Sequence, residues 1–144
     1  MIVENNITLF LVDDDAVLLK SLEIDFTTAG GYNVKTFSTG EQCLENIFYR
    51  PAVVVLDYHL DGIRKDAMNG MQTLDKIKAF DPAIQVIMLS SQDKIEVAIE
   101  CMHHNALDYV VKSETAFLRI DKIVTALIAY QKMKGELNWY MDRM

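Results

Sequence analysis

The chain has 144 residues, which suits one domain, and its 51% hydrophobic content is enough for a core without a disulfide or a structural metal. The formal net charge of −7 argues against direct nucleic-acid binding, because such surfaces are normally basic. No stretch approaches the ~20 apolar residues of a membrane span, and no signal-peptide pattern opens the sequence. Cys43 and Cys101 stand apart, as is usual in a reducing compartment, so we expect a cytoplasmic protein.

Five short apolar runs predict β-strands along the chain. They are Ile7–Val12, Tyr32–Phe37, Ala52–Leu56, Ile84–Leu89 and Leu107–Val111. The third run contains four consecutive apolar residues, from Val53 to Leu56, and does not alternate with polar residues. Such a run is typical of a strand that is buried on both faces of a parallel sheet.

Amphipathic stretches between these runs predict helices. In the first stretch Leu18, Leu22 and Phe26 recur at every fourth position. The helix boundaries are indicated by Gly30-Gly31 after the first helix, Ser38–Glu41 before the second and Asp81-Pro82 after the third. The alternation of strands and helices predicts an α/β fold, a doubly wound sheet of five parallel strands with helices on both faces.

The fifth predicted helix is longer than the sheet requires. Its apolar residues follow a 3-4 spacing that only Lys134 interrupts, namely Ile120, Ile123, Leu127, Tyr130, Leu137, Met141 and Met144. A helix over residues 116–144 would be about 43 Å long, whereas the sheet is covered by about residue 130. We therefore expect a domain over residues 1–130 and a helical extension over 131–144. This extension would form a homodimer, lead into an effector domain or fray as a tail.

Polar residues follow the predicted strands at their carboxyl ends. Asp13–Asp15 follow the first strand, Asp57 the third, Ser90-Ser91 the fourth, and Lys112 the fifth. In doubly wound sheets this edge forms the binding crevice. Several carboxylates in one crevice repel one another unless a cation joins them, and oxygen ligands favour Mg²⁺. Asp57 is the best-placed nucleophile for an aspartyl-phosphate, with the Lys112 charge and the Ser90 hydroxyl available to the phosphoryl oxygens.

Four segments, in this order, resemble the receiver domain of two-component response regulators, of the kind found in chemotaxis regulators. They are Leu11–Asp15, Val54–Asp57, Met88–Ser91 and Asp108–Lys112. The resemblance extends from about residue 7 to about residue 130. It implies a flavodoxin-like (βα)5 fold, a three-layer sandwich. It also implies a signalling switch and not an enzyme, since such domains catalyse only their own slow phosphorylation and dephosphorylation.

The resemblance assigns a role to each acidic residue of the site. Asp57 would be the phosphoacceptor. Mg²⁺ would be held by Asp14, Asp57 and the backbone carbonyl of His59, with Asp13 acting largely through water. Asp15 is better placed as the cap of the first helix. The phosphoryl donor would be a histidine kinase or a phosphotransfer protein.

The resemblance also implies a switch. Ser90 would be the hydroxyl residue of the family, Lys112 its lysine and Tyr109 its switch aromatic. Phosphorylation would draw the Ser90 hydroxyl inward, and the Tyr109 ring would move from an exposed to a buried position. The output face, formed by the fourth helix, the fifth strand and the fifth helix, would contact a downstream protein or an effector domain.

The sequence departs from the family pattern at four places. Asp61 and Ser113 stand where the family usually has proline, and Ser90 replaces the commoner threonine. A longer loop over Gly62–Asn69 inserts Ile63–Met68 beside the phosphorylation site. None of these changes removes a catalytic group, so we expect a working receiver.

Other functions fit the sequence less well. A haloacid-dehalogenase-type enzyme would need an aspartate at position 59, which is His59. A flavodoxin-like electron carrier would need a Ser/Thr/Gly-rich loop where Asp13–Asp15 stand. The main alternative is a receiver-like module that binds proteins without being phosphorylated.

Overall fold

The structure is a computed structural model that describes residues 6–62 and 65–144. Strands and helices alternate along the chain as predicted. The strands are β1 (Ile7–Val12), β2 (Tyr32–Phe37), β3 (Val53–Asp57), β4 (Gln85–Ser90) and β5 (Asp108–Val111). The helices are α1 (Ala16–Ala29), α2 (Gly40–Glu45), α3 (Gly70–Phe80), α4 (Ile95–His103) and α5 (Ala116–Arg143), with a short 3-10 helix at Ile47–Tyr49.

The five strands form one parallel sheet in the order β2-β1-β3-β4-β5. β3 lies at the centre and all five of its residues are buried, as its continuous apolar run predicts. The chain moves outward from β1 to β2 and then crosses back to β3, so the strand order reverses between β1 and β3. In doubly wound sheets this reversal opens a crevice at the carboxyl ends of the strands.

Two predicted strands end one residue too early. Asp57 pairs with Leu89 and is the last residue of β3, and Ser90 pairs with Val111 and is the last residue of β4. Both were expected to follow their strands, because a pattern of apolar residues stops at the first polar side chain. The parallel ladder instead continues through both residues, and it therefore fixes the backbone of two site residues.

The core has two halves, one on each face of the sheet. One half joins α1 and α5 to the sheet through Leu22, Phe26, Ile120 and Val124. The other half joins α2, α3 and α4 to the sheet through Cys43, Leu74, Ile77 and Cys101. The fold is therefore the predicted three-layer α/β sandwich of flavodoxin-like type.

The ends of α1 follow the predicted signals. Asp15 caps the helix, since its carboxylate accepts hydrogen bonds from the backbone N–H groups of Val17 and Leu18 at 3.1 and 3.2 Å. Gly30 and Gly31 end it with φ values of 79° and 84°, which glycine adopts without strain. The sequence thus sets the path of the chain from β1 to β2.

The two ends of the enlarged loop between β3 and α3 lie close together. The Gly70 N–H donates to the Tyr58 carbonyl at 3.1 Å, and a capping box between Asn69 and Gln72 begins α3. The Met68 N–H donates to Glu41 of α2 at 3.0 Å. The start of α3 is therefore tied by a hydrogen bond to the residue after β3, and the residue before the capping box is tied to α2. Ile63 and Arg64 of the predicted insertion lie outside the described residues.

Helix α5 has 28 residues, which corresponds to about 42 Å. Ile128 is its last residue packed against the core, and every residue from Ala129 onward is exposed. The helix continues unbroken through residue 130, where we expected the domain to end. Within the described ranges, none of the helices is long and apolar enough to cross a membrane.

Candidate functional site

Asp57 lies at the centre of the site and is only 1% exposed. Lys112, which follows β5, reaches across β4 and places its Nζ 3.2 Å from Asp57 Oδ1. The same Nζ lies 3.1 Å from Asp13 Oδ2 on the other side. The His59 N–H donates to Asp57 Oδ1 at 3.2 Å. The residues that sequence analysis placed at the ends of three different strands therefore meet in one cluster.

The position of Lys112 does not require a proline after it. The Lys112–Ser113 peptide bond is trans, and the side chain still reaches both carboxylates. The Lys112 N–H donates to the Ser90 carbonyl at 2.7 Å, which holds the backbone beside β4. Ser113 in place of the family's usual proline therefore leaves the lysine in contact with the site.

Three carboxylates can face one cation. Asp13, Asp14 and Asp57 each offer one oxygen, and these oxygens lie within 4.8 Å of one another. Asp13 is 2% exposed, and its Oδ1 accepts a hydrogen bond from the Asp15 N–H at 2.9 Å. Among the described residues its Oδ2 accepts no hydrogen bond that meets the geometric criteria, and it forms an ion pair with the Lys112 ammonium at 3.1 Å. A buried carboxylate oxygen in this state suits a hard cation such as Mg²⁺.

The His59 carbonyl oxygen faces the same region. A Cβ added at Gly62 would lie 3.3 Å from Asp14 Oδ2 and 3.8 Å from the His59 carbonyl oxygen, so both oxygens border the same small space. The three carboxylates are therefore grouped together, the His59 carbonyl borders Asp14, and all of these donors are oxygen atoms. This chemistry fits the expected Mg²⁺.

Negative charge exceeds positive charge at the centre of the site. Burial raises the pKa of Asp57 to about 7, and the Asp13 charge adds to the shift, although Lys112 and the His59 N–H act against it. Burial alone would lower the pKa of Lys112, but its attraction to Asp57 and Asp13 raises that pKa above its ordinary value. One ammonium group thus faces two buried carboxylates, and the site favours a further cation.

The two predicted switch residues share a partner. Ser90 is fully buried, and its Oγ accepts a hydrogen bond from the Gln92 N–H at 3.1 Å. The Tyr109 ring is half-buried against the core below α4, and its hydroxyl donates to the Gln92 carbonyl. The ring is therefore anchored to the loop that follows Ser90, and its movement on phosphorylation stays a prediction.

Sequence analysis missed two residues of the site. Gln92 joins Ser90 to Tyr109, and no motif distinguishes it from other polar loop residues. Gly70 packs against the backbone of Asp57, since a Cβ there would lie 2.3 Å from the Asp57 carbonyl oxygen. A glycine at the start of a helix was a usable signal for this close approach.

An open cleft of about 620 Å³ gives access to the cluster from solvent. Its walls come from the start of α1 and from the loops after β3, β4 and β5. The lining residues are Asp14, Asp15, Ala16, Val17, Asp57, His59, Gly62, Ser91 and Lys112. The Asp57 carboxylate is therefore buried by its neighbours and still faces a space that could admit a phosphoryl group.

Known proteins share this sequence pattern. Residues 9–125 match the response regulator receiver domain. The chain is 36% identical over 111 residues to the transcriptional regulatory protein ZraR of Escherichia coli O157:H7, an alignment that covers 75% of this chain and 23% of ZraR. The chain thus spans about a quarter of the length of that relative.

Solved structures share the fold. NtrX from Brucella abortus has a TM-score of 0.77 at 26% identity, with 91% of this chain and 29% of NtrX covered. A chain of the CheX–CheY–BeF3–Mg²⁺ complex from Borrelia burgdorferi has a TM-score of 0.74 at 25% identity, with 86% of this chain and 90% of that chain covered. From its sequence match, its sheet order and its fold, this chain belongs to the receiver domains of two-component response regulators.

Proposed function

We propose that this chain is a cytoplasmic, phosphorylation-dependent signalling switch in which Asp57 accepts a phosphoryl group from a histidine kinase or a phosphotransfer protein. The observation that carries the proposal is the contact of Asp57 with Lys112 beside Asp13 and Asp14, at the base of an open cleft. The domain itself would be a phosphoacceptor, with only slow self-catalysed phosphorylation and dephosphorylation.

In the phosphoryl transfer this chain forms only one covalent bond, between Asp57 and phosphorus. An Asp57 carboxylate oxygen forms a bond to phosphorus while the bond between phosphorus and the donor's histidine nitrogen breaks. The nitrogen keeps the electron pair and takes up a proton. Lys112, 3.2 Å from Asp57 Oδ1, supplies a fixed positive charge where negative charge collects. The Ser90 hydroxyl is the available donor to a phosphoryl oxygen.

Mg²⁺ is the cofactor that the oxygen donors favour. Asp14, Asp57 and the His59 carbonyl would hold it, with Asp13 largely through water. The ion would supply charge neutralisation for the carboxylates and the phosphoryl oxygens. The similar CheX–CheY complex from Borrelia burgdorferi, which contains BeF3 and Mg²⁺, supports this cofactor.

The output would pass through the face formed by α4, β5 and α5. This face carries exposed apolar side chains, with Ile95 at 71%, Ile99 at 48% and Leu118 at 59% exposure. Such side chains suit a downstream protein or an effector domain. Ser90 and Tyr109 would connect this face to Asp57. The net charge of −7 disfavours direct contact with nucleic acid.

The extension of α5 over residues 131–144 would join two copies of the chain. Exposed apolar residues recur from the end of the domain through this extension with the heptad spacing of a coiled coil, namely Tyr130, Met133, Leu137, Tyr140 and Met144. This stripe passes through Met133, so it avoids Lys134, the interruption in the predicted stripe. A helix of about 15 residues without tertiary contacts is marginal in water, and a second copy would stabilise it.

Phosphorylation can be tested directly with a small phosphodonor. Wild-type protein incubated with Mg²⁺ and acetyl phosphate should gain the mass of one phosphoryl group, and Asp57→Asn should gain none. Asp61→Asn changes a nearby carboxylate and should be labelled like the wild type. A wild-type protein that gains no phosphoryl group would support the alternative of a phosphorylation-independent binding module.

A further inference from the structure

We propose that the side-chain hydrogen bond between Gln92 and His59 is a latch that ties the loop after β3 to the loop after β4 and holds Tyr109 in its half-buried position. The regulatory meaning of the latch rests on the proposed function, while its existence does not.

The His59 end of the latch is tied to the phosphoacceptor. Gln92 Nε2 lies 2.9 Å from His59 Nε2. The His59 N–H donates to Asp57 Oδ1, and its ring packs edge-on against Tyr58 with the ring centres 4.9 Å apart. These two contacts fix both the backbone and the ring of His59, so the imidazole is a positioned partner for the amide.

The Gln92 end is tied to both switch residues. Its N–H donates to Ser90 Oγ at 3.1 Å, and its carbonyl accepts from the Tyr109 hydroxyl. One residue therefore contacts β4 through its N–H, β5 through its carbonyl and the loop after β3 through its side chain. A displacement of this loop would remove the partner of the Tyr109 hydroxyl.

The latch is suited to opening and closing. His59 is exposed and Gln92 is only half-buried, so water competes for their hydrogen bond. A hydrogen bond of this kind shifts a two-state equilibrium by roughly two- to tenfold. The latch would thus favour the half-buried ring while leaving an exposed-ring population, and phosphorylation, which is expected to bury the ring, would act in the same direction.

The test uses the position of the Tyr109 ring in the unphosphorylated, metal-free protein. Fluorotyrosine-labelled protein is measured by ¹⁹F NMR, and the Tyr109 signal is assigned by its absence from Tyr109→Phe. Gln92→Ala keeps the N–H and the carbonyl that contact Ser90 and Tyr109, so it tests the side chain alone. Gln92→Ala and His59→Ala should each raise the exposed-ring population roughly two- to tenfold.

The double variant separates a latch from two independent effects. If the two side chains act through one bond, Gln92→Ala combined with His59→Ala should change the population no more than either single variant. His103→Ala and Gln131→Ala, at exposed positions on α4 and α5, should match the wild type. Unchanged spectra in the single variants, or effects that add in the double variant, would overturn the latch. Since no phosphate is used, either result leaves the Asp57 assignment to its own test.

Discussion

Lys112 forms an ion pair with Asp57 at 3.2 Å, and this pair does not neutralise the site, because the same ammonium lies 3.1 Å from the buried carboxylate of Asp13. Two buried carboxylates share one positive charge. Burial and the Asp13 charge raise the pKa of Asp57 to about 7 despite the lysine. In the absence of a metal ion, the ionised Asp57 is therefore unfavourable for folding at neutral pH.

This imbalance predicts how stability depends on pH. Between pH 3.8 and about 7 the folded protein holds a proton on Asp57 that the unfolded chain releases, so this residue makes the free energy of unfolding fall as the pH rises. Asp57→Asn should remove that slope and stabilise the metal-free protein at pH 7.5 by up to about 4 kcal/mol, since the pKa rises from 3.8 to about 7 and each pKa unit corresponds to about 1.4 kcal/mol. Urea unfolding over a pH series measures both effects.

The matched control for this experiment is Asp61→Asn, which removes a carboxylate from the loop outside the Asp13–Asp57–Lys112 cluster. It should keep the wild-type slope. If Asp57→Asn is instead less stable than the wild type at pH 7.5 without metal, the lysine outweighs burial and the Asp13 charge, and the electrostatic description of the site is wrong.

Mg²⁺ should make the wild type more stable than Asp57→Asn, which is the reverse of the order expected without metal. An ion held as proposed would bind only the folded protein and raise its melting temperature by mass action, so the wild type should gain stability that Asp57→Asn and Asp14→Ala gain only weakly. Trp139 lies in the α5 extension, with the Arg143 guanidinium 4.0 Å from its ring centre. We therefore expect tryptophan emission to remain unchanged during the Mg²⁺ titration. Quenching of Trp139 would place the extension beside the acidic cluster.

Alanine substitution at Gly70 and at Gly135 should have opposite effects on stability. A Cβ at Gly70 would lie 2.3 Å from the Asp57 carbonyl oxygen and 2.8 Å from Tyr58 backbone atoms, whereas a Cβ at Gly135 would meet nothing within 4 Å. Gly70→Ala should lower the free energy of unfolding by about 1–3 kcal/mol. Gly135→Ala, inside α5, should raise the stability of the helix by up to about 1 kcal/mol. Equal effects of the two substitutions in urea unfolding would contradict the close packing of Gly70 on the Asp57 backbone.

We expect the proposed homodimer of the α5 extension to dissociate into monomers after one substitution. Leu137 belongs to the exposed apolar stripe, and its neighbour Asn138 lies off that stripe. Sedimentation should show a dimer for the wild type and for Asn138→Lys, and a monomer for Leu137→Lys and for a chain truncated after Gln131. A monomeric wild type, with and without beryllofluoride, would exclude the homodimer.

Much of the fold could be predicted because its signals are local. The continuous run of β3 indicated a central parallel strand, and Gly30-Gly31 marked the end of α1. The ends of β3 and β4 were predicted one residue before Asp57 and Ser90. The backbone hydrogen bonds that continue the sheet through these residues cannot be seen in the hydropathy of the sequence. The exposed stripe of α5 passes through Met133, which the 3-4 spacing from Ile120 did not select.

The candidate site, like the fold, could be predicted only in part. Asp57 and Lys112 were predicted to meet, because the carboxyl ends of parallel strands share one edge of the sheet. Gln92 was not predicted, because it acts through backbone groups and an amide whose partners, His59 and Tyr109, come from distant parts of the chain. A residue whose role depends on tertiary contacts alone carries no signal in a single sequence.

The most direct test of the phosphoacceptor assignment is to map the modified residue. After Mg²⁺ and acetyl phosphate, borohydride reduction converts an aspartyl-phosphate into homoserine, which peptide mass spectrometry locates. We predict homoserine at position 57 alone, in a yield that follows the phosphorylated fraction seen in the intact mass. Homoserine at Asp13, Asp14 or Asp61, or a labelled protein with Asp57 unchanged, would contradict the assignment of Asp57 as the phosphoacceptor.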